Sequence, residues 1–196
     1  MSNDVVIEKN KYIAKVQTDL FPADPFDDGV LLSRVVTTKN KHFSHQDEEV
    51  GDISVFEEWC EQNDDVLAMP FYAYVHSGIV LSLHPFSDPW DSGQIGFIFI
   101  KEKDLQEIAD TLDGKTLMEK AEDLFTQDIE LLNNYLRGDV WRFSIIDKNT
   151  NELCFSCGDF YSHKDAVREA ELSLAEHVRD AVNKEQPYLP GLENCA

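Results

Sequence analysis

Apolar and polar residues alternate along this chain in short runs broken by Gly, Pro and Asp, a period of two that predicts strands. Residues 12–16 and 30–37 are rich in β-branched side chains and read as two of them. Between them DLFPADPFDDG carries prolines and an Asp-Gly pair that force turns, so residues 1–45 are expected to form a loop-rich flap with strands. An apolar stretch over 66–75, then His76-Ser77-Gly78, then 79–83 predicts a hairpin closed by a tight Gly turn. Residues 94–100, QIGFIFI, hold so much Ile and Phe that they predict a central strand buried on both faces. A second hairpin is expected where Trp141, Phe143 and Ile145 alternate over 139–147, KNTN turns, and 152–161 returns.

The period changes to 3.6 in two long stretches. Thr116 and Glu119 have capping-box spacing, and Leu117, Ala121, Leu124, Leu131 and Tyr135 follow on one helical face until Gly138 stops the run. Ser162 and Asp165 open a second helix on Val167, Ala170, Leu174, Val178 and Ala181, ending near residue 184. Ser54 and Glu57 form a third capping box, predicting a short helix to about Gln62 that carries Glu57, Glu58 and Glu61. The expected fold is α+β: a mainly antiparallel sheet with the two long helices packed on one face and a short acidic helix. No repeat or linker divides the chain, so one domain over 1–196 is expected, with a sheet core at 46–161, a C-terminal helix at 162–184 and a loose tail at 185–196.

Composition narrows the setting. With 42% hydrophobic residues in 196, the chain can bury a real core, yet no run of about eighteen apolar residues is present to span a bilayer and no apolar leader opens it. A host cytoplasmic protein without membrane contact is expected. The four cysteines, Cys60, Cys154, Cys157 and Cys195, read as reduced thiols, because a chain this core-rich needs no covalent staples. Cys154 and Cys157 form a C-x-x-C that raises redox and zinc chemistry, but no second pair lies at finger spacing, and strand residues are the preferred reading. No metal or cofactor is expected.

Charge changes the picture most. There are 38 Asp and Glu against 17 Lys and Arg, a formal net charge of −21. Such a field repels polyanions, and the Lys/Arg clusters that drive DNA binding through counterion release are missing, so direct nucleic-acid binding is disfavoured and basic partners are favoured. From His42 through Ile100 there is no Lys or Arg at all. The candidate partner-binding surface joins Asp47, Glu48, Glu49, Glu57, Glu58, Glu61, Asp64 and Asp65, with Glu119, Glu122 and Asp123 as a continuation. Apolar residues in the tail leave room for a homodimer.

Reactive residue types gather in HSGIVLSLHPFSDPWDSGQ: His76, Ser77, His84, Asp88, Trp90, Asp91, Ser92 and Gln94. Two histidines with Asp88 or Asp91 could supply N and O ligands to a metal, and Ser-His-Asp chemistry is conceivable, but no G-x-S-x-G elbow accompanies it. The preferred reading is structural: Pro85, Pro89 and Gly93 set a rigid turn, Asp91 and Ser92 bond its backbone, and Trp90 packs on the sheet.

Tyr74-Val75-His76-Ser77-Gly78, then PFSDPWDSGQIGFIF, then YLRGDV resemble the marks of a family of uncharacterised acidic proteins of bacteriophages, plasmids and related mobile elements, over about residues 69–161. Members of that family often carry Cys where this chain has Asp88. The resemblance implies a mobile-element setting, in which small acidic proteins that block restriction or CRISPR nucleases are common. Three functions are weighed: a non-enzymatic anti-defence inhibitor mimicking nucleic acid, an enzyme or ligand-binding protein centred on His76, His84, Asp88 and Asp91, and an acidic structural or assembly protein.

Overall fold

The computed structural model describes residues 4–26, 29–38, 43–108 and 114–185. In chain order the elements are β1 (Val5–Lys9), β2 (Tyr12–Thr18), β3 (Arg34–Thr37), a 3-10 turn (Ile53–Val55), α1 (Phe56–Glu61), β4 (Val66–Val75), β5 (Ile79–Ser82), β6 (Ser92–Lys101), α2 (Glu102–Ile108), α3 (Leu117–Arg137), β7 (Trp141–Asp147), β8 (Leu153–Phe160) and α4 (His163–Glu185). They group into two compact units, one built from both ends of the chain (Met1–Pro22 with Gly138–Ala196) and one from its middle (Ala23–Arg137).

In the unit made from the ends, β1 and β2 form a hairpin around Asn10, which takes the left-handed φ of 55° that Asn tolerates. β2 then pairs antiparallel with β7, and β7 with β8, giving the order β1-β2-β7-β8. The period-two pattern sends Tyr12, Ala14, Val16, Trp141, Phe143 and Ile145 to one face, where α4 covers them with Ala166, Ala170, Leu174 and Val178. The small residues Ala166 and Ala170, one turn apart, let the helix backbone lie close to the strands.

The middle unit holds a second antiparallel sheet, order β3-β6-β4-β5. α3 packs Ala121, Leu124, Phe125, Ile129 and Leu132 against Phe71, Ala73, Leu81, Ile98 and Ile100. The opposite face receives Phe56 and Trp59 of α1 against Val36, Phe97 and Phe99. β6 is therefore buried on both faces, as its Ile and Phe content predicts. Each fully buried Phe or Ile contributes about 1.5–3 kcal/mol. Gly96 lies where β6 is tightest: a Cβ there would sit 2.2 Å from the Val36 carbonyl oxygen and 2.7 Å from the Phe71 ring, so a side chain would displace backbone.

α+β and antiparallel pairing are as expected, and so are the hairpins β4–β5 and β7–β8 and the helices at 117–137 and from 163. The single sheet carrying both long helices on one face is corrected to two sheets with one long helix each. Alternation reports which side chains turn inward, but not which hairpin a strand joins; the β2–β7 pairing, formed between distant parts of the chain, decides that. For the same reason β1 and β2 are integral strands of a sheet rather than a flap, and the strand expected over 30–37 is confined to Arg34–Thr37. β1 and α2 were not anticipated. Asp52, not Ser54, supplies the cap that leads into α1, accepting from the Ser54 N–H at 2.9 Å. The expected tail at 186–196 lies outside the described residues.

Candidate functional site

Asp47 and Glu49 belong to a salt-bridge knot rather than to a free surface. Arg34 holds Asp47 through two nitrogens, one bond being Nε to Oδ2 at 2.8 Å, and reaches Glu49 at 2.6 Å; Lys101 reaches the other oxygen of Glu49 at 2.7 Å. Asp47 is buried and its Oδ1 also accepts from the Glu49 and Val50 N–H groups, both at 2.9 Å. The two cations lie over rings, Arg34 at 5.1 Å from Phe99 and Lys101 at 5.8 Å from Trp59. Bonds from Lys101 and Arg34 hold the Glu49 carboxyl below its ordinary range. The Lys-free segment thus takes its counter-charges from strands on either side of it, which the sequence does not show.

Glu48, Glu57, Glu58, Glu61, Asp64 and Asp65 are different: all are exposed, and none makes an ion pair among the described residues. α1 is amphipathic, with Phe56 buried, Trp59 and Cys60 half-buried on the sheet side, and Glu57, Glu58 and Glu61 outward. Glu57 and Glu61 are one turn apart, where like charges repel with no cation between them. Burial and, after it, the charge of Glu57 push the Cys60 thiol up. The turn after α1 carries Asp64 and Asp65 back to β4 and is closed by Val66 N–H to the Asn63 carbonyl at 3.2 Å.

Glu119, Glu122 and Asp123 do not extend this surface, because α3 and α1 cover opposite faces of the sheet. Glu119 closes the predicted capping box: its own N–H donates to Thr116 Oγ1 at 3.2 Å, and its carboxylate accepts from the Thr116 N–H at 2.7 Å and the Thr116 hydroxyl at 2.8 Å, two bonds that, the backbone one first, lower its pKa. Asp123 is paired with Lys115, and Glu122 is exposed without an ion pair among the described residues.

In the second cluster, His76 Nδ1 lies 3.0 Å from Asp91 Oδ2. Asp88 accepts from the N–H groups of Trp90 at 2.8 Å and Asp91 at 3.3 Å, and the Ser92 hydroxyl donates to the Asp88 carbonyl. Asp88, rather than Asp91, makes the bonds that close the turn. Trp90 does not pack on the sheet: it is 93% exposed. Ser77 and Gln94 are exposed too, and no hydroxyl bonds His76 among the described residues. His84 is placed elsewhere, its N–H on Ser82 Oγ at 3.0 Å, lining a cleft of about 360 Å³ with Leu83, Glu130, Asn133 and Arg137. No group of three or more metal-ligating side chains occurs among the described residues. Cys60, Cys154 and Cys157 are free thiols, the latter two exposed on β8.

Two polar features escaped sequence reasoning. Asn133 of α3 clasps the outer edge of β5, accepting from the Leu81 N–H at 2.7 Å and donating to its carbonyl at 2.9 Å. Asp128, buried on the apolar side of α3, accepts from the Ser33 N–H at 2.8 Å and from its hydroxyl. Their only signal was a polar residue interrupting a helical apolar stripe. No helix among the described residues is long and apolar enough to cross a membrane. Comparison with protein-family models, curated proteins and solved structures finds no match.

Proposed function

We propose that this protein is a non-enzymatic inhibitor that occupies the nucleic-acid channel of a basic partner, its carboxylates taking the places of phosphates. The observation that carries the reading is the set on and beside α1: Glu48, Glu57, Glu58, Glu61, Asp64 and Asp65, outward-facing and without an ion pair among the described residues. Carboxylates presented this way form strong charge-assisted bonds to Arg and Lys once desolvated, and opposed fields speed encounter. The net charge of −21 supports a basic partner over a nucleic acid. The resemblance to mobile-element proteins supports a host defence nuclease of the restriction or CRISPR class as that partner, met in the host cytoplasm.

The test compares wild type with a variant in which Glu57, Glu58, Glu61, Asp64 and Asp65 are all changed to Lys. Wild type should retrieve a nucleic-acid enzyme from host lysate at low salt, release it at high salt, and compete with its DNA or RNA; the variant should do neither. Wild-type competition by the variant would falsify the reading, and retrieval of only structural proteins would point to the assembly role. The alternative centred on His76, His84, Asp88 and Asp91 draws less support, since His84 is turned to another cleft and the His76–Asp91 pair has no nucleophile against it among the described residues.

A further inference from the structure

The sheet face that α1 covers is covered only in part. On β4, Phe71, Ala73 and Val75 turn toward α3, so Tyr72 and Tyr74 turn the other way, onto the face where α1 packs. The register sets Ser82 and Gln94 beside Tyr72, and Val80 and Ser92 beside Tyr74. α1 reaches Ala68, Phe97 and Phe99 at one end of this face. Beyond it Tyr72 and Tyr74 stay half-exposed, with the Phe86 ring 5.7 Å from Tyr74 and the His76 ring 6.3 Å from it. Asp91 ties His76 to the turn that presents Trp90. That turn is fixed by Asp88, by Ser92, and by the Val75 N–H bonded to the Asp91 carbonyl at 2.7 Å. A bonded turn that holds an indole in water presents a large aromatic side chain to a partner, which is the character of an interface anchor.

We propose that the ledge formed by Tyr72, Tyr74 and Phe86, with Trp90 on the turn beside it, is the anchoring site for an arginine-bearing segment of the basic partner, a proposal that rests on the acidic-surface reading and adds to it where affinity resides. Charge complementarity selects the occupant. No Lys or Arg occurs between His42 and Ile100, and the ionic groups of the ledge's own turns are Asp88, Asp91 and His76. Ring faces beside carboxylates suit a guanidinium, which stacks on aromatics and pairs with a carboxylate in one pose, better than a compact, strongly hydrated ammonium. A phosphate-bearing ligand would meet the repulsion of Asp88 and Asp91. Because Tyr72 and Tyr74 share one face of the sheet with α1, a single partner meets both: the carboxylates steer it and the rings hold it.

The experiment titrates wild-type protein with nona-arginine and nona-lysine peptides at about 150 mM salt, following heat and tryptophan fluorescence. Nona-arginine should bind tighter and shift the emission of Trp90, which is far more exposed than the buried Trp141. Trp90→Ala and Tyr74→Ala should each weaken nona-arginine binding about fivefold to tenfold and nona-lysine binding much less. Both side chains face solvent at least in part, and circular dichroism checks that each variant is folded; Trp90→Phe should restore part of the affinity. If both alanine variants bind nona-arginine as wild type does while the α1 Lys variant does not, the ledge proposal is overturned and the acidic-surface reading stands. If the alanine variants lose binding and the α1 variant keeps it, the ledge stands and the acidic surface falls. Equal affinity of wild type for the two peptides also overturns the arginine assignment.

Discussion

Asp128 shows how a single buried carboxylate ties stability to pH. Desolvation raises its pKa above the ordinary 3.8, and the bonds from Ser33 and Leu32 only partly oppose that rise. Between the unfolded and folded values the native state holds the extra proton, so the contribution of Asp128 to stability is greatest below the unfolded value and declines as pH rises through the folded one. Asn in its place still accepts from Ser33 but does not titrate. Urea unfolding should therefore show wild type gaining on Asp128→Asn at about pH 4 relative to about pH 7. An equal difference at both pH values would mean that folding does not raise the Asp128 pKa. At the same scale, Gly96 and Asp88 have geometric roles, one by a close backbone approach and one by holding the turn.

Among elements, the edge strand β5 depends on a neighbouring helix. Its inner side pairs with β4, while its outer side would expose the N–H and carbonyl of Leu81 if Asn133 did not bond both. Asn133→Ala should cost about 1–3 kcal/mol, accelerate hydrogen exchange at the Leu81 amide, and promote self-association through the opened edge. An unchanged Leu81 exchange rate would show that water replaces the amide without loss. α1 makes the contrasting case: six residues are too few to be stable alone, so Phe56 and Trp59 must hold it to the sheet before its carboxylates can act as a set.

For the molecule as a whole, 38 acidic against 17 basic side chains mean that self-repulsion opposes the compact state. Exposed ion pairs such as Lys148 with Glu8 and Arg179 with Glu176 contribute about 0–1 kcal/mol each, too little to reverse that balance. Raising salt from about 10 to 150 mM should then raise the unfolding midpoint by about 2–4 °C; a fall would show that the pairs outweigh the repulsion. This excess of charge is legible in composition, as are the hairpins, the capping boxes of the long helices and the doubly buried β6, because each depends on residues near in sequence. Trp90 misled for the opposite reason: a turn signal says that the chain reverses, not what its side chains meet afterwards. Which carboxylates are spent is likewise a tertiary matter. Asp47 and Glu49 lose their freedom to Arg34 and Lys101, which lie outside the Lys-free segment, while those on α1 keep it. Local pattern thus determined most of the elements and the sign of the surface, whereas strand partners, and with them the exposed set of side chains, were decided by backbone pairing between distant segments, which no local period encodes.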